Sequence, residues 1–288
     1  MCVDLVVTGD DVAPRFGQVE RLVGDYTLEM GGSCCLFACQ AAKLGLRVGI
    51  LGRVGDDGFG RLILRRLHEC GVDTHSVIVD AHLKTGLGIA LCQGDDRAIL
   101  TYLGTLSVLR PEDVTDDFLA SARHLHHGSF FLQNGLRAAM PAIFRRAHTL
   151  GLTTSLDPNW DPDERWNSTL AELLDGTATS PNSPPLTDLF LPNLQEAQHI
   201  TCSTGLDEAI ERLRAKGLPL SVIKGGAAGA WLVSQDFTLR CAVQPAAPGG
   251  DGIGAGSMLR PAQEFPAGGR RVSAAARGGI SPGARPAR

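Results

Sequence analysis

The chain has 288 residues, of which 43% are hydrophobic, and a formal net charge of −4 at neutral pH. This length and composition suit one globular α/β domain of ordinary size. The slight acidity disfavours nucleic-acid binding, which usually needs a basic surface, and no run approaches the ~20 apolar residues of a membrane span.

The first predicted element is a buried strand, Asp4–Gly9, and the acidic segment that follows it does not suit a signal peptide. The strand leads to Asp10 and Asp11. Ligands of parallel sheets bind beyond the carboxyl ends of the strands, so both aspartates are candidates for binding a polar substrate. Acidic residues are equally common in plain surface loops. Residues 16–30 alternate loosely, and residues 85–102 alternate around a turn, as in β segments.

A glycine pair, Gly31 and Gly32, precedes a predicted helix that ends at Gly45. A short apolar strand, Val48–Leu51, leads through a glycine-rich turn to a second helix, Arg61–Cys70. This alternation is typical of a parallel α/β sheet. Glycines before a helix let the backbone approach a small polar ligand closely, although a glycine pair is also common in turns that bind nothing.

Two residue pairs suggest chemistry that their surroundings do not favour. His126 and His127 lie in a predicted strand, His124–Phe131, where a histidine pair is more often structural than catalytic. Cys35 and Cys39 have a spacing that a metal could use, but no histidine or second cysteine pair lies nearby. Because most of the eight cysteines lie in apolar runs without a Cys-x-x-Cys pair, we expect reduced thiols in a cytoplasmic protein.

Polar residues also follow two later strands. Asp157 and Asn159 come directly after the predicted strand Thr153–Leu156, at the expected ligand edge. Asn193 and Glu196 begin a helix, and residues three apart lie on one helix face. They could hold a hydrated Mg²⁺ ion, which prefers oxygen ligands, or they could form a capping box that serves only the helix backbone.

The last clear strand, Leu220–Ile223, runs into Lys224, Gly225 and Gly226 and continues to Gly229. A lysine and glycines at the end of a strand suit a phosphate or nucleotide pocket. The glycines alone would indicate only a hairpin turn.

Taken in order, these segments resemble the motifs of the ribokinase-like (PfkB) carbohydrate kinase family over residues 1–258. The stretch from Gly31 to Gly60 resembles the first family motif: Gly-Gly, a small-residue helix, Leu-Gly, a strand, then Gly-x-Asp-x-Phe-Gly. Asn-x-x-Glu at Asn193 resembles the magnesium-associated motif, and Lys-x-Gly-x-x-Gly begins at Lys224. Residues 251–257 correspond to the motif Asp-x-x-Gly-Ala-Gly-Asp.

The resemblance implies a three-layer α/β sandwich with a mostly parallel central sheet. It also implies a small β lid over the sugar, from residues 13–30 and 85–104, where an ordinary hairpin is the alternative. The implied activity is ATP-dependent phosphorylation of a sugar or sugar-like alcohol with Mg²⁺; a monovalent cation and a homodimer through the lid are further options. The implied sugar-binding residues are Asp10, Asp11, Gly31, Gly32, Asp157 and Asn159, the ATP-binding residues are Lys224, Gly225, Gly226, Gly229 and Asp251, and the metal-associated residues are Asn193 and Glu196.

The last motif departs from the family at its catalytic end. The amides of Gly254, Ala255 and Gly256 match the anion hole of the family, but Ser257 replaces the general-base aspartate. Serine cannot accept a proton at neutral pH, and loss of a general base costs on the order of 10²–10⁴-fold in rate. The alternative function is therefore a catalytically inactive sugar- or nucleotide-binding protein of the same fold.

Two further departures limit what the resemblance implies. Leu36 replaces a sugar-binding asparagine of the family, so the sugar cannot be named. Residues 259–288 are rich in Gly, Ala, Arg and Pro, which predicts a disordered tail. The abrupt change suggests a reading-frame shift after Gly256, unless the basic tail is genuine. A Rossmann oxidoreductase is disfavoured, because G-x-G-x-x-G does not follow the first strand.

Overall fold

The computed structural model describes residues 1–94, 96–166, 169–175 and 184–243. The predictions for Asp251, for Gly254 to Ser257 and for the tail at 259–288 therefore lie outside the described residues. No helix in the described part of the chain is long and apolar enough to cross a membrane.

The described residues alternate strands and helices along most of the chain. The strands are β1 Cys2–Thr8, β2 Asp25–Met30, β3 Gly52–Gly55, β4 Val77–Asp80, β5 Gly86–Gln93, β6 Asp96–Tyr102, β7 His124–His127, β8 Thr153–Leu156, β9 Leu189–Phe190, β10 Leu220–Lys224, β11 Ala230–Val233 and β12 Thr238–Cys241. The α-helices are α1 Ser33–Lys43, α2 Gly58–Glu69, α3 Asp116–Ala120, α4 Asn134–Arg137, α5 Met140–Thr149, α6 Leu170–Leu174, α7 Leu194–Thr201 and α8 Leu206–Ala215.

A six-stranded sheet in the order β12-β11-β10-β9-β8-β7 forms the larger part of the fold. Strands β7 to β10 are parallel, and β11 and β12 are antiparallel additions at one side. Its core contains fully buried aromatic residues, among them Phe144 on α5 and Phe190 on β9. Because the four parallel strands end at one edge, the residues that follow β8 and β9 and the end of β10 come together there.

A four-stranded sheet in the order β2-β1-β5-β6 forms the lid. Its hairpin of β5 and β6 is antiparallel, as the alternating pattern predicts. Strand β1 runs antiparallel to β2 and parallel to β5, so the first strand of the chain belongs to the lid sheet. Residues 13–24 contain no strand, so the first β segment is shorter than the sequence predicts.

Helices α1 and α2 pack beside the lid sheet around a second core. Helix α1 buries Cys35, Ala38, Cys39 and Ala41, and the chain leaves it through Gly45, whose φ is +88°. Helix α2 begins one turn earlier than predicted, because Asp57 caps it by accepting a hydrogen bond from the Gly60 amide at 2.8 Å.

Three sequence predictions of the regular elements are wrong in their boundaries. The strand predicted at Val48–Leu51 lies instead at Gly52–Gly55, where β3 pairs with β4. The strand predicted over His124–Phe131 ends at His127 and is followed by a 3₁₀ turn. The sequence also predicts one helix over Leu136–Leu150, which the structure divides into α4 and α5, because proline at position 141 favours a new helix start.

Candidate functional site

The carboxyl edge of the six-stranded sheet carries an ion pair between two predicted site residues. Asp157 directly follows β8, and Lys224 is the last residue of β10. The Lys224 Nζ atom donates to Asp157 Oδ2 at 2.7 Å, and each side chain is 16% exposed. Such a nearly buried pair holds both charges in fixed positions at the ligand edge of the sheet.

Asn193 and Glu196 form the complete capping box of α7. Glu196 N–H donates to Asn193 Oδ1 at 2.8 Å, and Asn193 N–H donates to Glu196 Oε2 at 2.7 Å. An isolated parallel β-bridge between Asn193 and Lys224 places this cap beside the ion pair. The capping alternative of the sequence analysis is therefore realised in the structure, and the second carboxylate oxygen of Glu196 takes no part in the cap.

Glu196 carries the most perturbed carboxyl group of this edge. Burial, followed by the negative charge of Asp157, raises its pKa to about 7, while the Asn193 hydrogen bond and the Lys224 charge oppose that rise. Two carboxylates therefore share one lysine. An added cation would relieve this excess of negative charge.

The turn after Lys224 depends on its glycines. The Gly225 amide donates to Gly229 oxygen at 2.7 Å, and residues 226–228 form a 3₁₀ turn. A side chain on Gly225 would overlap the ring of Trp231, and one on Gly229 would overlap the Cys241 carbonyl. The predicted Lys-x-Gly-x-x-Gly segment therefore forms a tight turn, directly after Lys224, that has no room for side chains at Gly225 and Gly229.

The glycine pair lies where α1 begins, close to the lid strand β1. The Gly31 amide donates to the Cys2 carbonyl at 3.0 Å, and a Cβ on Gly31 would overlap the Asp4 carboxyl group. Ser33 in the first turn of α1 shares a 2.7 Å hydrogen bond with Ser129, which follows β7. The start of α1 thus lies between the lid and the carboxyl edge of the large sheet.

Asp4 is a candidate site residue that the sequence analysis missed. It stands opposite Glu29 on β2 and Gly88 on β5, and burial raises the pKa of its carboxyl group. The Cys2 thiol donates to its Oδ1 at 3.8 Å. The signal in the sequence is an acidic residue within an otherwise apolar strand. Acidic residues are seldom placed there without a partner or a function.

The two predicted aspartates after β1 are placed differently. Asp10 and Asp11 are exposed, and Asp11 forms an ion pair with Arg21 and accepts a hydrogen bond from the Ala13 amide. The structure brings neither of them into contact with the glycine pair. The acid beside Gly31 is Asp4, and a role of Asp10 and Asp11 in binding the substrate remains a prediction.

Asn159 stands in a left-handed backbone conformation, with a φ of +58°. Its backbone N–H donates to Asp157 Oδ1 at 3.2 Å. Both carboxylate oxygens of Asp157 therefore accept a hydrogen bond, one from Asn159 and one from Lys224. This turn fixes the orientation of the Asp157 carboxylate.

His126 is half-buried and His127 is buried, and the contacts of His126 are those of a structural residue. His126 stacks on Phe37 of α1 with ring centroids 3.9 Å apart, and its Nδ1 shares a hydrogen bond with Ser155 at 2.8 Å. Burial lowers the pKa of His126 to about 3 and that of His127 to about 4, so both rings are neutral at pH 7. Neither is assigned a proton-transfer role.

The cysteines do not form a metal site in the described part of the chain. All eight are free thiols, and burial raises the pKa of Cys39 to about 12, so it is fully protonated at neutral pH. No group of three His, Cys, Asp or Glu residues within residues 1–94, 96–166, 169–175 and 184–243 is arranged to hold a metal ion. Any metal at Glu196 would therefore need ligands from water or from a bound substrate.

Comparison with known proteins was made by sequence and by structure. The profile described as pfkB family carbohydrate kinase matches residues 1–258. Probable fructokinase-5 of Arabidopsis thaliana is 29% identical over 133 residues, which cover 45% of this chain and 41% of that protein. The 2-dehydro-3-deoxygluconokinase of Bacillus subtilis strain 168 is 27% identical over 279 residues, covering 89% of this chain and 80% of that protein.

The first curated relatives are matched over only part of their length, since the aligned regions cover 31% to 42% of those proteins. Among solved structures, the ribokinase of Arabidopsis thaliana complexed with ribose and ATP superposes with a TM-score of 0.64 at 20% identity. That superposition covers 88% of this chain and 79% of the ribokinase chain. At this identity the structural likeness concerns the fold.

Proposed function

Because this chain belongs to the pfkB family of carbohydrate kinases, we propose that it binds ATP and a sugar-like alcohol and transfers the terminal phosphoryl group to a hydroxyl of that alcohol. The observation that carries the proposal is the Lys224–Asp157 ion pair beside Glu196, at the edge where parallel strands bind their ligands. Fixed charges at such an edge suit phosphoryl transfer, in which catalysis is mostly positioning and electrostatic stabilisation.

Lys224 and the turn at Gly225, Gly226 and Gly229 would bind the phosphates of ATP. The lysine supplies positive charge, and the glycines would let the backbone approach an anion closely, although the Gly225 and Gly229 amides donate within the turn. From the sequence, Asp251 and the amides of Gly254, Ala255 and Gly256 would complete the nucleotide and transition-state contacts.

Asn193 and Glu196 would hold a hydrated Mg²⁺ ion. The residues fit such an ion, because the second carboxylate oxygen of Glu196 lies outside the cap and two carboxylates share one lysine. When bound, Mg²⁺ would supply positive charge against the phosphate oxygens. A carboxylate kept partly protonated by its surroundings would ionise readily once the ion is present.

Asp4, Gly31 and Gly32 would bind the acceptor alcohol on the lid side, with Asp157 and Asn159 on the sheet side. Asp4 is a half-buried carboxylate that can accept hydrogen bonds from hydroxyl groups, and Gly31 leaves the space that a side chain would fill. The lid sheet would exclude water, which otherwise competes with the alcohol for the phosphoryl group.

Proton removal is the weak step of the proposed reaction. Ser257 stands where the family has its general base, so the hydroxyl proton has no carboxylate acceptor at that position. We therefore expect slow turnover. A binding protein without turnover is the second candidate function, and the observation that favours it is this serine.

The chain is proposed to act in the cytoplasm and to form a homodimer through the lid. Every residue of β6 is exposed, and Tyr26, Leu100 and Tyr102 of the lid sheet are between 52% and 67% exposed. Exposed large apolar side chains on both edge strands of the lid sheet suit a protein interface.

The test measures ADP release over a panel of sugars, together with calorimetry of a non-hydrolysable ATP analogue. We expect binding of the analogue, slow turnover of the unmodified chain, and little gain from Ser257→Asp alone, because Pro261 and Gly268 disfavour the helix that should follow. Robust turnover by the unmodified chain would show that another carboxylate, such as Asp157 or Asp251, is the base. A folded protein that binds no analogue at millimolar concentration would contradict the proposal.

A further inference from the structure

A groove of about 340 Å³ runs between the lid sheet and the helices α1 and α2. Its lining includes Asp4 and Val6 of β1, Leu36, Gln40 and Lys43 of α1, and Arg66 of α2. Pockets that bind small molecules begin at about 300 Å³, so the groove is large enough for a ligand. It begins at Asp4, the acid that faces the glycine pair.

The groove is longer than one sugar ring. Leu36 lies one turn into α1 and Lys43 is its last residue, and both line the groove. At a rise of 1.5 Å per residue these two positions are about 10 Å apart along the helix axis. A monosaccharide held by Asp4 and Gly31 would leave the part near Gln40 and Lys43 unfilled.

The walls near Asp4 combine apolar and neutral polar groups. Leu36, Val6 and Met30 supply an apolar strip, while Thr27 and Gln40 supply side chains that can donate and accept hydrogen bonds. An apolar strip beside a carboxylate suits a ligand with hydroxyls at one end and an apolar or ring-shaped group at the other.

The charges at the α2 wall are already paired. Arg66 donates to Glu29 at 3.1 Å and to Glu69 at 3.2 Å, so one cation serves two carboxylates. An anionic substituent would find this arginine occupied and both carboxylates repulsive. Lys43 is the second cation of the lining, but these two cations face three carboxylates, those of Asp4, Glu29 and Glu69. The excess of negative charge therefore favours an uncharged substituent over an acidic one.

We propose that this groove binds a second group of the acceptor, so that the preferred acceptor is an uncharged glycoside rather than a free monosaccharide. The inference rests on the proposed function, because it extends the same acceptor site along α1. The sugar hydroxyls bind at Asp4 and Gly31, and the aglycone or second ring lies against Leu36 and Gln40.

The test compares the binding of free and substituted sugars by calorimetry in the presence of ADP and Mg²⁺. The ligands are D-glucose, D-fructose, the phenyl glycoside of each, and D-glucuronate. Because the phenyl group would bury apolar surface in the groove, we expect the preferred phenyl glycoside to bind about tenfold more tightly than its parent sugar. D-glucuronate should bind no better than D-glucose.

Two variants test the position of the substituent, and a third is the matched control. Gln40→Trp fills the groove, so it should remove most of the preference for the phenyl glycoside and leave the parent sugar within about twofold. Leu36→Asn shortens the apolar strip and should reduce the same preference. His68→Trp adds the same ring to an exposed position of α2 that does not line the groove, and it should change neither affinity.

Equal affinities for the phenyl glycosides and their parent sugars would contradict this inference but not the proposed function. Equal weakening of both ligands by Gln40→Trp would have the same consequence. Tighter binding of D-glucuronate than of D-glucose would contradict the inference that the groove prefers uncharged substituents. If neither sugars nor glycosides bind, the acceptor site of the proposed function is wrong as well.

Discussion

The carboxyl edge of the six-stranded sheet and the lid sheet differ in how they hold their polar groups. At the sheet edge, Asp157 and Lys224 are 16% exposed and Glu196 is 4% exposed, and each has a fixed partner. In the lid, every residue of β6 is exposed, and Tyr102 is 52% exposed. One region is a desolvated charge network, and the other is a sheet whose edge strands β2 and β6 are mostly exposed, while β1 packs into the second core.

This difference suits the two regions to different roles, the sheet edge to binding phosphates and the lid to covering the acceptor. Charges that are fixed before a ligand arrives lose little free energy to reorganisation, which suits the phosphates. The exposed edge strands β2 and β6 have few buried contacts and can move at low cost, which suits a cover over the acceptor. The comparison therefore predicts that changes at the sheet edge reduce stability and nucleotide binding, while changes beside the lid alter acceptor binding.

The largest expected effect follows the loss of the lysine at the sheet edge. Lys224→Met leaves Asp157 and Glu196 as two nearly buried carboxylates without a cation, which should cost roughly 3–5 kcal/mol of unfolding free energy. Urea denaturation measures this value. The control Lys216→Met, at a position with no ion pair among the described residues, should change it by less than about 0.5 kcal/mol. A comparable effect of both variants would refute the special role of Lys224.

Acid should weaken the sheet region through the buried histidines. His126 and His127 have folded-state pKa values of about 3 and about 4, below the 6.5 of an unperturbed histidine. Between pH ~6.5 and ~4 the unfolded chain therefore binds protons that the folded chain does not, and each histidine should lower the unfolding free energy by ~1.4 kcal/mol per pH unit. Glu196, whose folded-state pKa of about 7 lies above the usual value, opposes one of the two histidines over the upper part of this range, so a net loss of stability remains.

The measurement for this pH effect is the unfolding free energy from urea titrations at pH 7, 6 and 5. His127→Gln keeps a polar side chain without a titrating ring, so the slope should become less steep. An unchanged slope in that variant would mean that His127 does not contribute.

A smaller effect is expected beside the lid, at the first glycine of the pair. Gly31→Ala places a methyl group against the Asp4 carboxyl group, which should cost about 1–3 kcal/mol of stability and weaken acceptor binding more than nucleotide binding. In the control Gly58→Ala, the added methyl meets nothing within 4 Å, so stability should be unchanged or slightly higher. Acceptor binding unaffected by Gly31→Ala would contradict the placement of the acceptor here.

The smallest expected effect tests the two roles of the α7 cap. Asn193→Ala removes the hydrogen bond to Glu196 N–H and should cost ~1 kcal/mol, while Asn193→Ser keeps a cap and should cost less. If Asn193 also helps to hold Mg²⁺, both variants weaken Mg²⁺–ATP binding, although only alanine reduces stability substantially. Gln195→Ala, on the exposed side of the same helix, is the control for both measurements.

The sequence predicts the sheet edge well because its signals are local. Thr153–Leu156 is a continuous β-prone run followed by Asp157, and its predicted bounds agree with β8. The spacing of Asn193 and Glu196 predicts the capping box that forms. In each case the residues that decide the structure lie within a few positions of one another.

The lid side is predicted less well because its contacts are distant in sequence. The meeting of Asp4 with Gly31 and Gly88 depends on the pairing of β1 with β2 and β5, which no local pattern encodes. The sequence favours Asp10 and Asp11 as substrate-binding acids only because they directly follow a strand, which is a local signal. Strand β3 was misplaced because its apolar content is low, and its position depends on pairing with β4.

The central claim is that Lys224 serves the nucleotide and Asp4 serves the acceptor. The direct test is calorimetry of a non-hydrolysable ATP analogue with Mg²⁺, and of the tightest-binding sugar or glycoside, on the unmodified chain, Lys224→Met and Asp4→Asn, each verified as folded. We predict that Lys224→Met weakens the analogue by about tenfold or more and the acceptor little, and that Asp4→Asn does the reverse. Equal effects of each variant on both ligands, or no effect of either, would contradict the account.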